Sequence, residues 1–351
     1  MKKFLSTLTA LLFSMLLTAC SSDSGSINEN SLYNETFGTL DKPALEFSGE
    51  FFDLVTETGE NSGVVTENAD IPLQTEAEGI DANTENTLVY TNLACAGVQE
   101  YIKQILISSG IPENRAEKMF QWVNDYNECM GGCENFELKD EFTAVSVPAV
   151  DYGDYYPMST LWFKTNKRDY GDILCRLAAF ELMADGITAK NAVDESRYEC
   201  YSDTQWLYSD YDAIYNNPLV DFRDSEIEKY FTLYAPIEIK KGSTEQEMYD
   251  SISEEWAKRG IAFDSNIKCS LITIWLQSDE LTAAGHAAVL AEYEDELLLF
   301  EKTNPQSPYQ VTKFSDLEQV KRYMYESIHQ DYAKYGLETG TYIVMCNEKL
   351  L

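Results

Sequence analysis

Among 351 residues the chain has eight cysteines and only two histidines, His286 and His329, so the search for a nucleophile and its base is short. Cys175 lies in "GDILCRLAAFELMADG" (171–186), an apolar segment that reads as a helix with Asp172 as its N-cap and Gly186 as the left-handed residue that ends it. Counted from Asp172, Cys175 is the third helical position. There the unpaired amides and dipole of the first turn favour a thiolate. His329 falls on a segment opening "SDLE", where Ser315 and Glu318 form a capping box and Leu317, Val320, Met324 and Ile328 make the apolar stripe. Its helical neighbours Arg322, Tyr325 and Glu326 are polar, so it reads as solvated, and the working histidine is His286.

"GHAAVLAEYEDELLLFEK" (285–302) reads as a hairpin turning at Glu294-Asp295. That register sets Ala288 opposite Glu301 and His286 opposite Thr303, which puts His286 and Glu301 on one face as diagonal neighbours. A turn one residue longer brings Lys302 or Asn304 opposite His286 instead, and Asn304 is also able to orient an imidazole. Cys175, His286 and Glu301, with Asn304 as the alternative third member, therefore form a candidate nucleophile, base and orienting group. The competing reading of Cys175 is a buried core thiol or a disulfide partner of Cys200, Cys269 or Cys346.

The elements that must hold these residues read as α+β. Helical periodicity starts near 93–108 with Val98, Ile102 and Ile105. It resumes after "GIPEN", with Pro112 in the first turn, through Ala116, Met119 or Phe120, and Val123. Residues 135–172 read as irregular and rich in Tyr and Asp, a composition able to stack on sugars or peptides as well as to pack a core. Further helical pieces surround "DSEIEKYF" and "TEQEMYDSISEEWAKRG". Strands follow at 269–277, 285–293, 296–302, 309–314 and 340–348, as a mostly antiparallel meander.

The first twenty residues carry Lys2, Lys3, an apolar run and "LTAC", a secretion signal whose end resembles the bacterial lipobox, with Cys20 as the lipidated residue. Residues 21–88 are acidic, with Lys42 the one base, and read as a flexible tether to a folded unit over 89–351. The expected location is the outer face of a membrane, held by the lipid on Cys20. A net charge of −34 excludes nucleic acid as a partner and leaves peptides or cell-wall fragments. Without Cys20 seven cysteines remain, an odd number. "ECMGGCE" offers Cys129 and Cys133 as a local pair rather than a metal site, since no other Cys or His is near in sequence, and no cofactor is expected.

The order of helix cysteine, strand histidine and a polar residue on the next strand resembles the papain-like cysteine peptidases, and their NlpC-type cell-wall hydrolases in particular. "YTNLA", "CRLAAF", "GHAAVLAE" and "LLFEKTNPQSPYQVTKF" resemble an uncharacterised family of Gram-positive lipoproteins. The resemblance implies a papain-like fold with Cys175 as nucleophile, His286 as base and then acid, and Glu301 as orienting group. The oxyanion would take the Cys175 backbone N–H and a second donor. Leu174 departs from the small or polar residue usual before the cysteine, and the upstream glutamine donor is missing, with Asn166 as its substitute. The implied activity is hydrolysis of an amide in a peptide or peptidoglycan stem peptide. The alternative is a non-catalytic extracellular binding lipoprotein that uses the Tyr-rich loops.

Overall fold

Long runs of apolar residues with buried side chains on both faces make a sheet the centre of the molecule. The computed structural model describes residues 87–195, 207–334, 336 and 340–351; the signal, Cys20, Cys200 and the tether up to residue 86 lie outside the described residues. In chain order the elements are β1 (Leu88–Thr91), α1 (Ala96–Ser108), α2 (Glu113–Met130), β2 (Thr143–Val145), α3 (Tyr155–Ser159), α4 (Cys175–Met183), β3 (Ile187–Thr188), α5 (Tyr208–Asn216), α6 (Asp224–Tyr234) and β4 (Ile237–Glu238). They continue with α7 (Glu245–Arg259), β5 (Ala262–Phe263), β6 (Cys269–Ser278), β7 (Leu281–Tyr293), β8 (Glu296–Lys302), β9 (Tyr309–Phe314), α8 (Leu317–Lys334), β10 (Tyr342–Cys346) and β11 (Lys349–Leu350).

The fold is α+β, with an antiparallel sheet ordered β11-β10-β6-β7-β8-β9-β1-β2 and β4 added to β7. Glu294 turns the β7–β8 hairpin at φ +54°, and Val289 faces Phe300, the register expected from a two-residue turn at Glu294-Asp295. Alternate residues feed two cores. Leu271, Trp275, Val289, Leu298, Phe300 and Val311 join the core beneath α1, α2, α4 and α6. Ile272, Ile274, Ala288, Leu290, Leu299 and Phe314 join a second core under α8, with Val320, Tyr323, Met324 and Ile328.

Two irregularities in β7 open a notch. Opposite β6, Ile274 faces His286 but Trp275 faces Ala284, so Gly285 is an extra, bulged residue. A Cβ at Gly285 would come within 2.2 Å of Leu276 Cδ1, which explains the glycine. On the other edge, β7 pairs with β8 only from Val289 onward and with β4 only at Leu281 and Thr282. Residues 283–288 therefore have no strand partner on that edge among the described residues, and the start of α4 sits against this gap.

Several local expectations need correction. Gly186 does not end its helix in the left-handed region; it closes a 3₁₀ turn over Ala184–Gly186, and a Cβ there would meet Ile267 Cδ1 at 2.5 Å. Pro112 is the N-cap of α2 rather than part of its first turn. At α8 the cap is Asp316, whose Oδ1 accepts from Gln319 N–H at 2.8 Å, in place of the Ser315 and Glu318 pair, and Leu317 is exposed. The region 135–172 contains β2, α3 and a π-helical turn over Thr160–Thr165, and β1 lies between β9 and β2. Cys129 and Cys133 do not pair: Cys95, Cys129, Cys133, Cys175, Cys269 and Cys346 are all free thiols.

Candidate active site

Cys175 opens α4 as its first residue. The N-cap is Leu174, in extended conformation and without a side-chain cap, and the first intrahelical bond runs from Ala178 N–H to Leu174 C=O at 2.9 Å. Asp172 is not the cap because a buried ammonium claims it. Its Oδ2 accepts from Lys302 Nζ and Gln306 N–H, each at 2.8 Å, and its Oδ1 from Ile173 N–H at 2.7 Å. Charge-assisted bonds of this kind outcompete neutral helix amides. The change of cap moves Cys175 from the third position to the first, and the helix amides around it stay without intrahelical partners.

Arg176 fixes that helix end to the histidine strand. Its Nε donates to Asp210 Oδ1 at 2.8 Å, its Nη2 to Asp210 Oδ2, and its Nη1 to the Ala284 carbonyl at 2.7 Å, two residues before His286. The Tyr230 hydroxyl also donates to Asp210, so α4, α5, α6 and β7 meet at one buried ion pair. Ala284, paired with Trp275 of β6, lies in the stretch of β7 whose other edge has no strand partner among the described residues. The guanidinium thus gives the Ala284 carbonyl a donor at that open edge.

Beyond the bulge, His286 shares the face of Ala288 and Leu290 and reaches Glu301, with Nε2 2.8 Å from Glu301 Oε2. The imidazole is also the main group that lowers the Cys175 thiol, which brings the two side chains into one site. With Nε2 committed to Glu301, Nδ1 is the ring nitrogen open to a second partner. Glu301 is anchored in turn by the Tyr323 hydroxyl and by Gln310 Nε2 at 3.4 Å, both to Oε1. Gln310 Oε1 accepts from the Tyr152 hydroxyl at 2.6 Å, and that oxygen accepts from Asn92 Nδ2 at 2.8 Å. Tyr152, from the Tyr-rich loop, thus props the site from behind. Tyr156 is the large exposed aromatic of that loop.

Electrostatics set Cys175 apart from Cys129, Cys133, Cys269 and Cys346. Burial pushes its thiol up, but the hydrogen bond and charge of His286, helped by Arg176, win and hold it below the usual 9.0. For His286, burial works against the charged ring, and the bonds to Cys175 and Glu301 outweigh it, raising it to about 10. Both shifts favour the thiolate and imidazolium forms over the neutral pair. Burial pushes the thiols of Cys129, Cys133, Cys269 and Cys346 up instead.

Of the candidates, Cys175, His286 and Glu301 come together and Asn304 does not. The Asn304 amide points to Asp331, at 3.4 and 3.5 Å, because the two-residue turn gives Glu301 the place beside His286. Asn166 is not an oxyanion donor, since its amide is bonded to the Cys129 and Leu161 carbonyls at 2.9 Å each. His329 is exposed, as expected, and meets the Tyr342 hydroxyl. Arg176, Asp210, Gln310 and Tyr323 were not foreseen. Two of them left a trace: Arg176 is the one charge in "CRLAAF", and Gln310 alternates with Thr312 on the face of the strand opposite Tyr309 and Val311. No group of three or more metal-ligating side chains occurs among the described residues, and no helix among them is long and apolar enough to cross a membrane.

Together these features define an α+β protein with a buried Cys–His–Glu chain where a helix start meets a gap in an antiparallel sheet. Residues 89–351 match the family described as domain of unknown function DUF4300, and the chain belongs to that family. Neither a curated protein nor a solved structure matches it.

Proposed function

We propose that this chain is a papain-like cysteine hydrolase, anchored to the outer face of a membrane by a lipid on Cys20, that cleaves an amide in a peptide or peptidoglycan stem peptide. The observation that carries the reading is the meeting of Cys175 with His286, itself bonded to Glu301 at 2.8 Å, with the thiol shifted down and the imidazole up. In this mechanism the Cys175 thiolate attacks the carbonyl carbon, forming a C–S bond as the carbonyl electron pair moves to oxygen. Return of that pair breaks the C–N bond, and the leaving amine takes the proton from His286. Water then adds to the thioester with His286 as base, releasing the acid and restoring the thiol. The Cys175 backbone N–H, at the start of α4, is one donor to the oxyanion.

The second reading, a non-catalytic binding lipoprotein on the same scaffold, draws on burial: Cys175 is only 5 % exposed and His286 7 %. Thiol labelling of the reduced, folded protein near neutral pH separates the two. The hydrolase reading expects Cys175 to be modified first and His286→Ala to slow that reaction by up to about 100-fold, the limit set by a thiol of ordinary pKa being about 1 % ionised two pH units lower. Cys175 found in a disulfide in protein taken from native membranes would overturn it.

A further inference from the structure

The proposed mechanism lacks a second oxyanion donor, because the Asn166 amide is used elsewhere. The Tyr234 hydroxyl is a buried O–H with no hydrogen-bond partner, on a residue with no exposed surface. Leaving a donor unpaired in a protein interior is costly and calls for an explanation.

The surroundings of Tyr234 lead to the nucleophile. It is the last residue of α6, three positions before β4, which pairs with Leu281 and Thr282 at the border of the β7 gap. Its ring packs 5.0 Å from that of Tyr230, whose hydroxyl donates to Asp210, the partner of Arg176 and hence the neighbour of Cys175. Burial pushes the Tyr234 phenol well up, and the charge of Cys175 acts in the same direction, so the group keeps its proton. Tyr230 is also buried, but its proton is committed to Asp210.

We propose that the Tyr234 hydroxyl is the second oxyanion donor, which makes Tyr234 a catalytic residue alongside Cys175, His286 and Glu301; this rests on the hydrolase reading above. As the Cys175 sulfur bonds to the carbonyl carbon, the carbonyl pair becomes an alkoxide that accepts from the Cys175 N–H and the Tyr234 O–H. Collapse of that alkoxide expels the leaving group. The hydroxyl is unpaired at rest because its partner exists only during acyl transfer.

Two reactions of the same thiolate give the test. Alkylation by iodoacetamide attacks a saturated carbon and forms no oxyanion, whereas acylation by p-nitrophenyl acetate passes through one and releases p-nitrophenolate. Tyr234→Phe is expected to leave the alkylation rate and its pH midpoint unchanged, and to slow acylation by about 100- to 1,000-fold. Thermal unfolding should be no lower than in the parent, since only an unpaired hydroxyl is lost. Acylation unchanged in Tyr234→Phe overturns the assignment while the hydrolase reading stands. A higher alkylation midpoint with a proportionate fall in acylation also overturns it, by placing the hydroxyl on the resting sulfur. If Cys175 in the parent protein alkylates no faster than an ordinary thiol, the hydrolase reading itself fails.

Discussion

His286 answers to two acids of different kinds, the Cys175 thiol and the Glu301 carboxylate, the second of them bonded to Nε2. The two protons of the Cys175 and His286 pair belong to the pair as a unit. Because the thiol is depressed, the thiolate persists as pH falls below 9.0; because the imidazole is raised, its proton persists as pH rises from 6.5 to about 10. Alkylation of Cys175 should therefore persist to lower pH than that of an ordinary thiol, with its midpoint below 9.0. Amide hydrolysis, which also spends the imidazole proton, should fall again near pH 10. Glu301→Gln removes the carboxylate that favours the charged ring, so the histidine should titrate closer to 6.5. A chain with two histidines allows a direct check by NMR of the ring protons, and an unmoved His286 titration would show that Glu301 does not control it.

At the level of elements, the helix start and the strand bulge act as one device. The Glu301 position was legible in the sequence because a two-residue turn fixes the parity of everything beyond it, and Glu294-Asp295 marked that turn. The Cys175 helix was legible from its apolar run, but its first residue was not: Lys302, 130 positions away, takes the carboxylate that looked like the cap. Local rules do not see a competitor at that separation. The gap in β7, the Arg176 clamp and the Tyr152 prop were hidden for the same reason, as each is made by residues far apart in the chain. Gly285→Ala tests the device. The added methyl meets Leu276 and should destabilise the fold by about 1–3 kcal/mol in chemical denaturation. By shifting the bulge that aims His286, it should also slow Cys175 alkylation in the molecules that remain folded. Native alkylation in folded Gly285→Ala would show that the bulge does not set the histidine.

For the whole molecule, the proposed anchor and the charge work together. A chain at −34 is repelled by anionic headgroups, so adsorption to such a surface would not hold it, whereas acylation at Cys20 would. Cys20→Ala should shift the protein from the membrane pellet to the soluble fraction on cell fractionation, and a mutant that stays pelleted would remove the lipid from the account. The sheet adds a consequence of its own. Cys175 belongs to the helix packed on one core, while His286 and Glu301 face the other. Separation of either layer parts the thiolate from its counter-ion, yet buried thiols such as Cys269 become reachable only as their own layer opens. Thiol exchange followed cysteine by cysteine under native conditions would thus read the opening free energy of each layer, with Cys175 the one site that reacts fastest when nothing opens.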